Sequence, residues 1–226
     1  MRHARLCLLA LVGLLGTALA AGPPASWAQE SGSEGEPVSI GTYRVLHSSV
    51  LGEDRVLLVS VPEDYESTSM SYPVLFVLYG DQVRGYFAEA VNAVDRLSGE
   101  GSIPRIIVVG IANTDRYRDL SLVGRQSAPS GIEPFSQFVA DELIPYVERE
   151  YRTQDYRILL GPQAGAEFGL YSLAHHPDLF DALMIGNPLR SKPARDQLQA
   201  AMLGRADRGF ASPKFFHVAC PDTEGG

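Results

Sequence analysis

At 226 residues, with 45% hydrophobic and 20% charged residues, the chain has an ordinary globular composition, long enough for one domain of about 200 residues, and intrinsic disorder is excluded as its default state. Its formal net charge of -8 excludes nucleic acid and anionic membrane surfaces as partners, because both select basic proteins.

The chain opens with Arg2, His3 and Arg5, continues through an apolar run from Leu6 to Leu19, and then offers small-residue cleavage sites at Ala18-Leu19-Ala20 and Ser26-Trp27-Ala28. This is the order of an export signal. The apolar run is shorter than the roughly 20 residues of a spanning helix, which favours a cleaved leader over residues 1–28 above an uncleaved anchor, with cleavage after Ala28 preferred to Ala20. The expected location is secreted or periplasmic, with no stable membrane insertion once the leader is removed. Cleavage takes the charge from -8 to -10, because Arg2 and Arg5 leave and no acid does, and it also removes Cys7. Cys220 then has no partner for an internal disulfide, and a small apolar residue at a strand end is the simplest reading of it. Residues 29–37, rich in Ser, Gly and Glu, read as a polar spacer. The folded domain is expected over 38–226.

Short alternating runs at 39–49 and 54–61, separated by Leu51-Gly52-Glu53, predict an antiparallel hairpin. Tyr72 to Tyr79 is continuously apolar, as a strand buried on both faces must be, and Gly80-Asp81 ends it. A helix over 86–97 and a second buried strand over 105–111 follow. Phe135, Phe138, Val139, Leu143, Tyr146, Val147 and Tyr151, spaced by three and four, predict one amphipathic helix, kinked where Pro145 lacks a backbone donor. The remaining expectations are a strand through Tyr156–Leu160, a helix over 164–174, a strand over 182–185, a helical stretch over 194–203 and a last strand over 214–219. Strands alternating with helices make the fold class α/β, a mostly parallel, doubly wound three-layer sheet with an N-terminal antiparallel hairpin.

Between Leu160 and Phe168 the chain reads Gly161-Pro162-Gln163-Ala164-Gly165-Ala166-Glu167. The glycine spacing is that of the Gly-x-Ser-x-Gly nucleophile elbow, in which a sharp strand-to-helix turn holds one strained side chain over the sheet. Gln163 stands where the nucleophile belongs.

Several segments, in this order and spacing, resemble one family: Tyr72 to Asp81, Asn113-Thr114-Asp115-Arg116-Tyr117-Arg118-Asp119-Leu120, Glu142-Leu143-Ile144-Pro145-Tyr146-Val147-Glu148 with Tyr151-Arg152-Thr153, and His176-Pro177-Asp178-Leu179-Phe180-Asp181. The family is the Putative esterase group of α/β-hydrolases, which includes esterase D and enterochelin-esterase-like proteins. The resemblance covers about Val38 to Cys220. It implies a serine hydrolase acting on esters, with Ser, an acid and His in that chain order and an oxyanion hole beside the Ser.

Each implied part meets a different fate in this chain. Gln163 is a neutral carboxamide with no proton whose loss would activate it, so it is a degenerate nucleophile position. Ser172 lies more than two turns into the next helix and reads as a helix-bonding hydroxyl. The oxyanion hole rests on backbone amides, for which Gly80, Asp81 and Ala164 occupy the matching places, although tight turns alone account for the glycines. Asp222 is the best-placed acid, and a solvated tail carboxylate accounts for it equally. No His follows it. His175 and His176 end a helix, His217 lies in a strand and His47 in the hairpin, so none is placed as a base. The family usually carries a further helix after the last strand, so the chain is read either as a fragment or as leaving a sheet flank for a partner to cover.

Three readings follow. The first is an exported esterase homologue without standard serine-esterase catalysis, retaining a place for a small ester or carboxylate. The second is an active carboxylic-ester hydrolase, if the chain is a fragment or uses another nucleophile. The third is an interaction module using a sheet edge. No cofactor or metal is expected, since there is no His/Cys/Asp cluster at ligand spacing and no Gly-rich loop ending in Lys.

Overall fold

Seven strands form a single sheet in the order β1-β2-β4-β3-β5-β6-β7 in the computed structural model of the protein. The structure describes residues 39–80, 85–112, 115–124, 129–186, 192–206 and 214–219, without the side chains of 205 and 206. The expected leader and spacer, together with Asp81, Cys220 and Asp222, lie outside the described residues.

Strands β1 (Thr42–Ser48) and β2 (Glu53–Ser60) make the expected hairpin, with Gly52 at φ 67 in its turn. β2 also pairs antiparallel with β4 (Ile107–Ile111), and from β4 onward every pairing is parallel. β3 (Tyr72–Leu78) is buried along its whole length. Val74, Phe76 and Leu78 join one core, and Leu75 and Val77 join the other. Burial on both faces is why this strand is uninterruptedly apolar in sequence.

Helix α1 (Tyr86–Gly99) covers one face through Phe87, Ala90, Val91 and Val94. The opposite face is covered by α3 (Ile132–Phe138), α4 (Ile144–Glu150) and α5 (Ala164–His175), around Phe135, Phe138, Phe168 and Phe180. The short α2 (Arg116–Leu120) packs on α3 and α5, and α6 (Lys192–Ala206) packs on α5. β6 (Ala182–Gly186) precedes α6, and β7 (Phe215–Ala219) follows it as the sheet edge, exposed throughout, with Phe215, Phe216 and Val218 among its residues.

The predicted single helix over 135–151 is interrupted differently from a simple kink. Between α3 and α4 the chain makes a π-helical turn, Val139–Leu143, directly before Pro145. Pro145 has no N–H for the carbonyl one α-turn back, and the wider turn accommodates that loss. The same turn carries Glu142, whose carboxylate accepts from the Ser48 hydroxyl and from the backbone amides of Ser49 (2.8 Å) and Val50 (3.1 Å), fastening the β1–β2 turn. Helix α2 carries no apolar periodicity in the sequence; Asp115 caps it by accepting from the Tyr117 and Arg118 amides at 3.0 and 3.1 Å.

The winding reverses at β3. The chain leaves β3 through α1 to reach β4 on one side, then returns to place β5 (Thr153–Pro162) on the other. The carboxyl ends of β3 and β5 therefore flank the switch point, where open α/β sheets form their ligand crevice.

Candidate functional site at the switch point

β5 ends at Pro162, α5 begins at Ala164, and Gln163 between them has φ 54 and ψ -119. A side-chain-bearing residue in this region stores strain of about 1–3 kcal/mol and persists only where its surroundings impose it. The surroundings are close. A Cβ on Gly161 would lie 2.5 Å from the Gly165 carbonyl oxygen, and one on Gly165 would lie 2.9 Å from Leu78 Cδ1. Two glycines thus let the strand fold back on the helix start and let that start press against β3. The Gln163 amide donates to the Gly186 carbonyl (2.8 Å), and its carbonyl accepts from Ala166 (3.0 Å). The turn is an elbow in backbone terms, with a carboxamide at its apex.

Across the crevice, Tyr79 follows β3 with φ 63, the other described non-glycine residue at positive φ. Its side chain is buried, and its hydroxyl lacks a hydrogen-bond partner among the described residues. Burial pushes the phenol up to about 12, with the facing Gly165 amide and then Arg116 opposing that shift. The next amide, of Gly80, donates to the Ile111 carbonyl at 3.0 Å, so it is committed to the sheet. Asp81, the other donor expected on this side from the sequence, lies outside the described residues. Ala164, as the first residue of α5, has an N–H with no acceptor within the helix.

Helix α2 brings further groups to the crevice. The Arg116 guanidinium lies 6.0 Å from the Tyr79 ring centroid and 5.1 Å from that of Tyr117, and the Tyr79 and Tyr86 rings are 6.2 Å apart. The helix itself is anchored by charge. Asp119 and Arg55 are both buried, with Arg55 Nη1 donating to Asp119 Oδ2 at 2.8 Å. Arg118 bonds Asp119 (2.7 Å) and Glu53 (2.7 Å), while Arg55 Nη2 lies 2.6 Å from Glu53 as an ion pair without hydrogen-bond alignment. The rings of Phe135 and Phe138 face the Arg55 guanidinium at 5.7 and 5.8 Å. Four alternating charges therefore tie β2 to the helix that carries Arg116.

Glu167, on the first turn of α5, is also buried; its carboxylate accepts from the Ser121 hydroxyl (3.0 Å) and the Leu122 amide (3.2 Å). It holds the 121–122 segment to the helix. The Ser172 hydroxyl donates to the Gly169 carbonyl (2.8 Å), which is the helix-bonding role expected of it. His47 pairs with Asp54 at 2.8 Å on the exposed hairpin, His176 meets Glu133 at 3.2 Å, His175 stacks on Tyr171 at 4.3 Å, and His217 is exposed on β7.

Of the residues expected from the sequence, Gln163, Gly80 and Ala164 lie at the ends of β3 and β5, while Tyr79, Arg116, Glu167 and Arg55 belong to none of the motifs implied for the site. One signal was present for Arg55: it sits at an inward position of an alternating strand, in step with Leu57 and Val59, where a charge requires a buried partner. For Tyr79 there was none, because a tyrosine ending an apolar run reads as core.

The family model described as Putative esterase matches residues 48–214. Two Bacillus subtilis proteins are each 28% identical to the chain. One is an uncharacterised protein, YjcH, matched over 152 residues (64% of this chain, 60% of that protein). The other is the ferri-bacillibactin esterase BesA, matched over 137 residues (52% and 47%). The chain thus spans about half the length of these relatives. Among solved structures, an IroE-like serine hydrolase from Shewanella oneidensis superposes with a TM-score of 0.64 at 22% identity, covering 81% of this chain and 74% of its own. That likeness is one of fold, the α/β-hydrolase arrangement of the sheet and its helices.

Proposed function

Because the chain belongs to the Putative esterase family, we propose that it is an exported esterase-fold protein that has given up serine-ester hydrolysis and keeps its elbow as a receiving site for the carbonyl or carboxylate oxygen of a small ligand. One observation carries this reading: the strained backbone of the elbow is intact around Gln163, whose carboxamide cannot be activated as a nucleophile. Ala164 supports the receiving role with a helix-terminal amide that has no acceptor within α5. The relatives named for siderophore esters make ester-bonded chelators, and the acids released from them, the first ligands to try. Export, argued from residues 1–28, is part of the same proposal.

The test is a fluorophosphonate probe and p-nitrophenyl acetate applied to the purified protein, beside an active family member. We expect no label at the elbow turn and hydrolysis at the buffer rate. Label on any residue of the turn, or saturable turnover abolished by an inert substitution at Gln163, would return the chain to the active esterases.

A further inference from the structure

Among the described residues, β1 has a neighbouring strand on one side only. The Ala112 amide donates to the Val56 carbonyl at 3.0 Å, so Val56, Leu58 and Ser60 turn their main-chain groups towards β4, and Arg55, Leu57 and Val59 turn theirs towards β1. The register sets those last three against Leu46, Arg44 and Thr42. The amides and carbonyls of Tyr43, Val45 and His47 therefore point away from the sheet. Of these groups the Tyr43 carbonyl is met by a side chain, the exposed Arg44, whose Nη1 donates to it at 3.0 Å.

The strand lacks the features that keep sheet edges apart. It runs seven residues, Thr42–Ser48, in unbroken register, with no proline, lysine or bulge. Its outward side chains belong to an uncovered apolar face: Tyr43 is 74% exposed, Val45 63%, and Val56, opposite Val45, 37%. Helix α1 reaches Leu58 on this face and leaves the others open. Residues 29–37, with Glu30, Glu34, Glu36, two glycines and Pro37, have a composition that strands disfavour, so the chain's own spacer is a poor occupant of the edge. A second copy is a good one, because the edge is its own complement. An antiparallel copy centred on Val45 overlaps all seven residues, sets Tyr43 against His47 and Arg44 against Leu46, and opposes no like charges. Centring on Arg44 would face two guanidiniums, and centring on Leu46 would leave Thr42 and Tyr43 without a strand residue opposite.

We propose that two copies of the chain join through β1, antiparallel about a two-fold axis at Val45, so that the sheet runs on from one copy into the other. The Arg44 guanidinium yields the Tyr43 carbonyl to the His47 amide of the second copy, and Tyr43, Val45 and Val56 are covered. Such a contact closes on itself and consumes both edges, whereas β1 added to β7 of another copy would propagate. The contact is independent of the chemistry at the elbow. One added strand with its side chains belongs to the small contacts, under about 1,200 Å², that associate weakly. The net charge of -8 opposes the approach of two copies, although β1 itself carries Arg44 and no acid, so added salt should favour the dimer.

The experiment is sedimentation velocity of the intact chain from about 1 to about 200 µM, at low salt and at about 0.5 M salt. The native chain is expected to pass from monomer to dimer at roughly 10–100 µM, at lower concentration in high salt. Val45→Lys and Val45→Glu, changes at an exposed position, should each stay monomeric with an unchanged melting temperature, since like charges then meet at the axis. An equimolar mixture of the two variants should dimerise again, and Val218→Lys on β7 should leave the native equilibrium as it was. Hydrogen exchange at the Val45 amide should be fast in dilute solution and slowed severalfold where the dimer forms. A native chain that stays monomeric throughout, a dimer that survives Val45→Lys or is lost in Val218→Lys, or a mixture that stays monomeric overturns the proposal. Slow exchange at Val45 at both concentrations would mean that another segment of the chain already pairs with β1, and overturns it as well.

Discussion

Gln163 occupies a backbone conformation that glycine adopts freely and glutamine does not, held there by the contact between Gly161 and the Gly165 carbonyl. Gln163→Gly should therefore stabilise the fold by about 1 kcal/mol, the strain of a side chain at this φ less the extra chain entropy that glycine loses on folding. Urea denaturation measures it, and a loss of stability would show that the turn is unstrained. A second residue-scale expectation concerns Glu133. The Tyr171 hydroxyl donates to its carboxylate and His176 lies beside it, and these contacts hold its carboxyl below the ordinary glutamate range, while burial and the same bond push the Tyr171 phenol up. A depressed acid contributes stability that is present above its unfolded pKa and is lost as pH falls through the folded one. Compared with the native chain, Glu133→Gln should be less stable near neutrality and equally stable in acid, a convergence that thermal melts from about pH 7 to about pH 3 would follow. A gap that stays constant across that range would assign the effect to packing.

At the scale of elements, the strands were far more legible than the turns between them. β3 and β4 could be read because burial on two faces leaves no polar residue in the run, and α5 could be read because the elbow glycines mark its start. The π turn at Val139–Leu143 could not. The apolar spacing from Phe135 to Tyr151 fits a continuous helix, and what distinguishes the real path is a tertiary contact: Glu142 reaching the turn at Ser48, Ser49 and Val50, far earlier in the chain. A lone glutamate on a helix reads as a solvated charge. Glu142→Ala should cost about 2 kcal/mol, since three donors lose a charged acceptor, and should speed hydrogen exchange at the Ser49 and Val50 amides. Unchanged exchange there would mean that the turn holds itself.

For the molecule as a whole, the Arg55–Asp119 pair links the antiparallel hairpin to the helix that carries Arg116. Arg55→Met should cost about 3 kcal/mol or more, because the buried Asp119 carboxylate loses the guanidinium bonded to its Oδ2. Pairing it with Asp119→Leu should recover part of that loss, so that in a denaturant double-mutant cycle the two costs add to more than the cost of the double variant; simple additivity would refute the coupling. The sequence displayed Arg55 at an inward position but not its partner, because Asp119 belongs to a helix too short to announce itself. The two strained residues, Tyr79 and Gln163, also bear on the order in which the sheet assembles. Gln163 is held in part by the local fold-back of Gly161 on Gly165, and both residues sit where β3 and β5, distant in sequence, come together as parallel neighbours. Contacts of that range close late in folding, so the strain is absent from the transition state and present in the native state. Its relief would slow unfolding and leave the folding rate where it was, so the crevice helps to set how long the native sheet lasts rather than how quickly it forms.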